Sequence, residues 1–217
     1  MSGLAVFTLK CASLLQFDEM KQERTIRHNL RTLFGVDAVP CDTQMRSILD
    51  PVVPSDLEPA FIAVHQVAEK AGVFKQYEYL DGRVLISIDG TGHFSSGAIS
   101  CPHCCVKHHR NGSEEYYHQL LGAVVVHPDL PTVLPLAPEP ITKEDGQSKN
   151  DCERNAAQRL LKRIHESYGH LKPIITEDGL SSNGPHVMLL KSRQGSVLFW
   201  GSSRAITKRC SSVSTRA

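Results

Sequence analysis

Two aspartates stand where an apolar run gives way to glycine. Asp89 follows Val84-Leu85-Ile86-Ser87-Ile88 and precedes Gly90; Asp178 follows Ile174-Ile175-Thr176-Glu177 and precedes Gly179. A carboxylate that ends a strand is held on a rigid element at the rim of a sheet. Two such strands side by side would bring two negative charges together, and a divalent cation relieves that repulsion by taking oxygen ligands from both. Hard cations about 3.5–4 Å apart, shared by such carboxylates, suit in-line attack on a phosphodiester. The plainer reading of each Asp-Gly pair is a turn after a strand.

A second group with chemical capacity is Cys101-Pro102-His103-Cys104-Cys105-Val106-Lys107-His108-His109, with His118 further on. Thiolate and imidazole are the ligands a tetrahedral zinc site wants. The spacing differs from that of a zinc finger, which needs about twelve residues between its pairs. It fits a small knuckle closed by Cys101, Cys104 and either His108 or His109. The alternative is a polar loop with partly buried thiols. Three basic groups could meet phosphates: Lys21, Arg24, Arg27 and Arg31; Lys107 with Arg110 and the two adjacent histidines; and Arg154, Arg159, Lys162 and Arg163. The third set lies on a helix whose other face is apolar, so a solvated face is its default reading.

The elements that must position these residues follow from periodicity. Helical spacing predicts a helix over 3–17, a basic helix from Lys21 stopped at Gly35, and a short helix from Asp42 to Leu49. A helix capped by Ser55 and Glu58 should bury Leu57, Phe61, Val64, Ala68 and Ala71. Strand-like runs occupy 83–89, 116–126 and 132–137. An amphipathic helix over 149–167 turns Cys152, Ala156, Ala157, Leu160, Leu161 and Ile164 inward, and 171–178 reads as another strand. A meander, a crossover helix and a parallel strand give an α/β fold, an α+β mixed sheet behind a helical N-terminal region.

The chain has 217 residues, 41% hydrophobic and 22% charged, with a formal net charge of +1. This excludes a wholly disordered or collagen-like protein, and it makes nucleic-acid affinity a matter of local clusters. Seven cysteines at irregular spacing, with no basic leader before an apolar stretch, suggest a reducing, cytoplasmic setting. No run reaches the ~18–20 apolar residues of a membrane span, so no membrane partner is expected.

Several blocks in order carry a family resemblance: SIDGTGHFSS, CPHC, HRNGSEEYYHQLLGAVVVHPD, LPLAPEPI, DGQSKNDCERNAAQRLL and ITEDGLSSNGPHV. With SGLAVFTLKCASLLQFDE and GVDAVPCDTQMRSILDPV, the chain resembles insertion-sequence transposases of the DDE type over roughly residues 2–190. The resemblance implies a ribonuclease H-like domain over 79–190 behind a helical, DNA-binding region over 1–78. It also implies Mg²⁺- or Mn²⁺-dependent cleavage and strand transfer at transposon ends in double-stranded DNA, by a homodimer in the intact family. Asp89 and Asp178 fall at the first two carboxylate positions. The third is a glutamate on a later helix, and no Asp or Glu follows Asp178. Among earlier acids, Glu139, Glu144, Asp145 and Glu153 are present, Glu153 reading as a helix-dipole or surface acid. The stretch 191–217 is basic and reads as an aberrant tail. The expectation is therefore a truncated, inactive transposase fragment. The alternatives are a non-catalytic DNA-binding remnant and a zinc-stabilised interaction module.

Overall fold

The computed structural model describes residues 1–146, 149–177 and 197–200, with only the backbone described for 149–151 and 197–200. Asp178 and most of 191–217 lie outside the described residues. The chain divides into two units, Met1–Asp56 and Leu57–Ala217.

In the first unit the expected helix over 3–17 is two helices, α1 (Ser2–Thr8) and α2 (Leu14–Met20). The chain breaks at Lys10, which takes a left-handed φ of 55°. Ser13 then opens α2, its hydroxyl oxygen accepting from the Gln16 backbone N–H at 3.0 Å. Lys21 is the last, capping residue of α2, so it does not share a helix with Arg24, Arg27 and Arg31 on α3 (Arg24–Phe34). Gly35 ends α3 in the left-handed region, as its position suggests. Helix α4 spans Asp42–Leu49, with Cys41 as its N-cap and Asp42 inside its first turn. Ala5, Val6, Phe17, Leu30, Val36 and Met45 form the unit's core.

The second unit is a mixed α/β structure. Helix α5 (Glu58–Lys70) follows a 3₁₀ turn over Pro54–Leu57. Ser55 sits inside that turn and makes no cap, and Val64 is exposed while His65, one position on, is buried. Phe74 and Tyr77 pack into the sheet's core, so 57–78 belongs with the sheet and not with the helices before it.

Among the described residues seven strands form one sheet: β1 (Leu85–Ser96), β2 (Cys105–His108), β3 (Glu114–His127), β4 (Leu130–Pro135), β5 (Glu139–Ile141), β6 (Ile174–Glu177) and β7 (Val197–Trp200). Their order is β2-β3-β1-β6-β7, with β4 and β5 also paired to the outer edge of β3. Strand β3 runs antiparallel to β1, whereas β6 is parallel to β1 and β7 parallel to β6. A strand within the basic stretch, β7, was not foreseen from periodicity. Four apolar or aromatic residues are too short a run to separate from a loop.

Helix α6 (Lys149–Tyr168) covers one face of the sheet. All six of its expected inward residues are buried, against Ile86, Ile88, Leu121, Ala123 and Val125. Each fully buried aliphatic side chain here contributes about 1.5–3 kcal/mol. The expected solvated basic face is only partly so. Arg159 Nε donates to Glu139 Oε1 at 2.6 Å and its Nη atoms engage Asp145, while Arg163 Nη1 donates to Glu139 Oε2 at 2.7 Å. Arg163 also reaches the carbonyls of Ala137 and Pro138. Two of the four basic residues therefore fasten the LPLAPEPI segment to the helix.

Candidate functional sites

Strand β1 is the sheet's central strand, and alternation decides what faces where. Ile86 and Ile88 point into the α6 side, so Asp89 belongs to the opposite face and is exposed. Its Oδ1 accepts from the Gly90 backbone N–H at 2.8 Å. Parallel pairing of β1 with β6 matches Ser87 to Thr176. Asp89 comes two residues after Ser87 in the sequence, and Asp178 two after Thr176.

Gly90 faces the α6 side, where Glu153 approaches closely. A Cβ at Gly90 would lie 3.3 Å from Glu153 Oε1, to which Gln119 Nε2 also donates at 3.3 Å. Glu153, which the sequence offers as a helix-dipole or surface acid, is half-buried, and its carboxylate stands beside Gly90. The signal that could have found it is the glycine after Asp89, which leaves room for a side chain from another element. Glu139 and Asp145 are held by arginines, as described above. Gln119 itself is nine-tenths buried and its Oε1 has no hydrogen-bond partner.

The Cys-His segment folds into a tight turn. Pro102 presets φ for the second position, and the Cys104 N–H donates back to the Cys101 carbonyl at 3.1 Å. The Cys101 N–H lies 3.2 Å from Cys104 Sγ, and Lys143 Nζ donates to the Pro102 carbonyl. The turn sets both sulfurs against His118 of β3. Cys101 Sγ is 3.2 Å and Cys104 Sγ 3.3 Å from His118 Nε2, and the sulfurs are 3.5 Å apart. This is the one group of three or more metal-capable residues among the described residues. Burial pushes the Cys104 thiol up, with the neighbouring Cys101 contributing. Burial lowers His118, and His93 and His103 add to the effect, favouring the neutral imidazole that can ligate.

The histidine of the group is thus His118, and His108 and His109 are engaged elsewhere. Strand β2 pairs with the start of β3, so His108 Nδ1 meets Glu114 Oε1 at 3.3 Å and His109 Nε2 meets Glu115 Oε2 at 3.0 Å. Ser95 and His109 hold the Glu115 carboxyl below its ordinary range. Spacing within nine residues favours the nearer histidines; antiparallel pairing of β2 with β3, which sets Cys105 opposite Tyr117, brings in the distant one.

Of the basic candidates, Lys21 pairs with Asp18, Arg31 Nε with Asp37 at 3.0 Å, and Lys107 with Glu115 at 3.8 Å. Arg24, Arg27 and Arg110 are exposed. A groove of about 800 Å³ runs along β1 and β3 from Gly90 and Gln119 past His93 and Tyr117 to Lys107 and His108. No helix among the described residues is long and apolar enough to cross a membrane. No protein-family model matches the chain, and no curated protein or solved structure matches it significantly.

Proposed function

We propose that this chain is the catalytic region of a DDE-type transposase, with a ribonuclease H-like sheet, acting on double-stranded DNA with Mg²⁺ or Mn²⁺. The observation that carries the reading is the position of Asp89 on the central strand, in parallel register with the strand that leads to Asp178. The antiparallel β1, β3 and β4, continued on the other side of β1 by the parallel β6 and β7, support that reading. Hard cations take oxygen ligands, and the exposed carboxylate of Asp89 on a rigid strand is a donor of that kind.

In this reading Asp89 and Asp178 hold the ion. When bound, the ion polarises a phosphodiester oxygen and activates the attacking water or 3′-hydroxyl. Lys107 in the groove and the exposed Arg110 after it, with Arg24, Arg27, Arg31 and Lys21 in the N-terminal unit, neutralise backbone phosphates. The third carboxylate of a DDE set is left unassigned.

The test uses the full chain with Mn²⁺ followed by electron paramagnetic resonance, together with DNA binding at several salt concentrations. Asp89→Asn should cut Mn²⁺ affinity at least tenfold while DNA binding stays equal or tightens, since a charge repelling phosphate is gone. Unchanged Mn²⁺ uptake would falsify the metal assignment. DNA affinity indifferent to salt would remove the nucleic-acid reading altogether.

The triangle of Cys101, Cys104 and His118 favours a second ion, Zn²⁺. Ligands of a tetrahedral zinc lie about 3.6–3.8 Å apart, so these three atoms need to spread by only about 0.3–0.4 Å. In this role zinc is structural and ties the β1–β2 connection to β3. On its own, it is also what a zinc-stabilised interaction module would need.

A further inference from the structure

We infer that His93 supplies the fourth ligand of the Cys101, Cys104 and His118 site, so that the bound Zn²⁺ clamps the central strand β1 to β3 and to the β1–β2 connection. The inference rests on the Zn²⁺ reading above. A structural zinc closes its coordination with four protein ligands, and three atoms on one side leave one apex to fill.

His93 is placed for that apex by an irregularity in the ladder. Gly92 pairs with Gln119 and Phe94 with His118, so two steps along β1 match one along β3 and His93 is the extra residue. Such a bulge re-aims a side chain and interrupts pairing locally. Here the rings of His93 and His118 lie 5.8 Å apart between centroids and within 23° of parallel. Phe94, directly opposite His118, packs on it at 5.9 Å and fixes that ring's position. His93 is exposed, so its ring can turn toward the sulfurs without disturbing the core.

The competing donor is His103, which also lies close enough to influence His118. It sits within the cysteines' turn, and among the described ring contacts His118 meets His93 and Phe94 and not His103. Four ligands from the Cys101–Cys104 turn, the bulge in β1 and β3 would give a Cys₂His₂ site spanning three segments. His93 is four residues along β1 from Asp89, about 13 Å at strand spacing. The clamp therefore sits on the carboxylate-bearing strand without touching the carboxylate.

The experiment is metal analysis and Co²⁺ substitution of the full-length chain, with His93→Ala and His103→Ala beside the wild type. The expected result is one zinc per chain after desalting and an intense tetrahedral cobalt spectrum. His93→Ala should lower Zn²⁺ affinity at least tenfold and alter the cobalt bands, while His103→Ala changes neither. Zinc retained with full affinity and an unchanged spectrum in His93→Ala overturns the assignment of His93 alone. A wild-type chain that takes up no zinc overturns the Cys101, Cys104 and His118 reading beneath it. Because His93 is exposed, its removal leaves folding intact, and matching circular dichroism of the metal-free proteins verifies that.

Discussion

Replacing Asp145 with asparagine should loosen the middle of α6 from the segment that precedes it. Asp145 is buried. Its Oδ2 accepts from the Thr142 backbone N–H at 2.9 Å and from Arg159 Nη2 at 3.0 Å, and its Oδ1 from Arg159 Nη1. An asparagine keeps one oxygen but turns an NH₂ toward a guanidinium that also only donates. Two charge-assisted hydrogen bonds at about 1.5–3 kcal/mol each set an upper bound near 3–6 kcal/mol. Arg159 is 45% exposed at its side chain and keeps Glu139 at 2.6 Å, so water and the second carboxylate recover part of the loss. The expected net cost is about 2 kcal/mol. Urea denaturation followed by circular dichroism measures it against Glu166→Gln. That control breaks a pair 3.9 Å apart in which both side chains are more than half exposed, expected to cost under ~0.5 kcal/mol. Burial raises Asp145, but the Arg159 and Thr142 hydrogen bonds outweigh it and hold the carboxyl below its ordinary range. Its contribution is therefore complete above about pH 4 and is lost as pH falls through the depressed value. Asp145→Asn should remove that acid-sensitive part as well. Equal costs for the two variants would refute the view that this network fastens the helix.

Tyr168→Phe should cost about 1–2 kcal/mol in thermal or urea unfolding, because His65 Nδ1 would lose its buried partner at 2.6 Å. Tyr168 is pushed up to about 12, mainly by burial, so its hydroxyl stays protonated and donates. Burial lowers His65, partly countered by its hydrogen bond to the Pro135 carbonyl. Its folded value lies below its unfolded one, so this stability is full above about pH 6.5 and should decline below it. Gly35→Ala should lower the stability of the N-terminal unit by about 1 kcal/mol, read by calorimetry, since φ is 62° while no neighbour crowds the site. A neutral result there would mean that the α3 end relaxes without cost.

Reading the residues alone identified α6 and its six inward positions, because an apolar stripe twenty residues long has one helical solution. It also located the start of the strand that carries Asp89, but ended it there: β1 runs on to Ser96, so Asp89 lies mid-strand and not at the strand's end, because the polar residues after Gly90 carry no apolar alternation to mark them as strand. It failed where two local solutions were close in energy. Val64 and His65 compete for the buried face of α5, and the choice falls to His65 because Tyr168 is there to satisfy it. The helix over 3–17 splits at Lys10, and the 3₁₀ turn over Pro54–Leu57 displaces the cap expected at Ser55.

Composition and order thus determined that a helical segment precedes a mixed sheet, and which residue types could bind a metal. Tertiary structure alone decided which of them meet. The β2–β3 pairing sets Cys105 opposite Tyr117 and so carries His118 to the cysteines across fourteen positions or more, and the same pairing gives His108 and His109 to glutamates. The approach of α6 brings Glu153 to Gly90 across sixty-three. Contacts of that separation depend on register between strands and on how a helix lies over them. A one-residue slip in either would redirect every side chain, and no local pattern in the sequence records it.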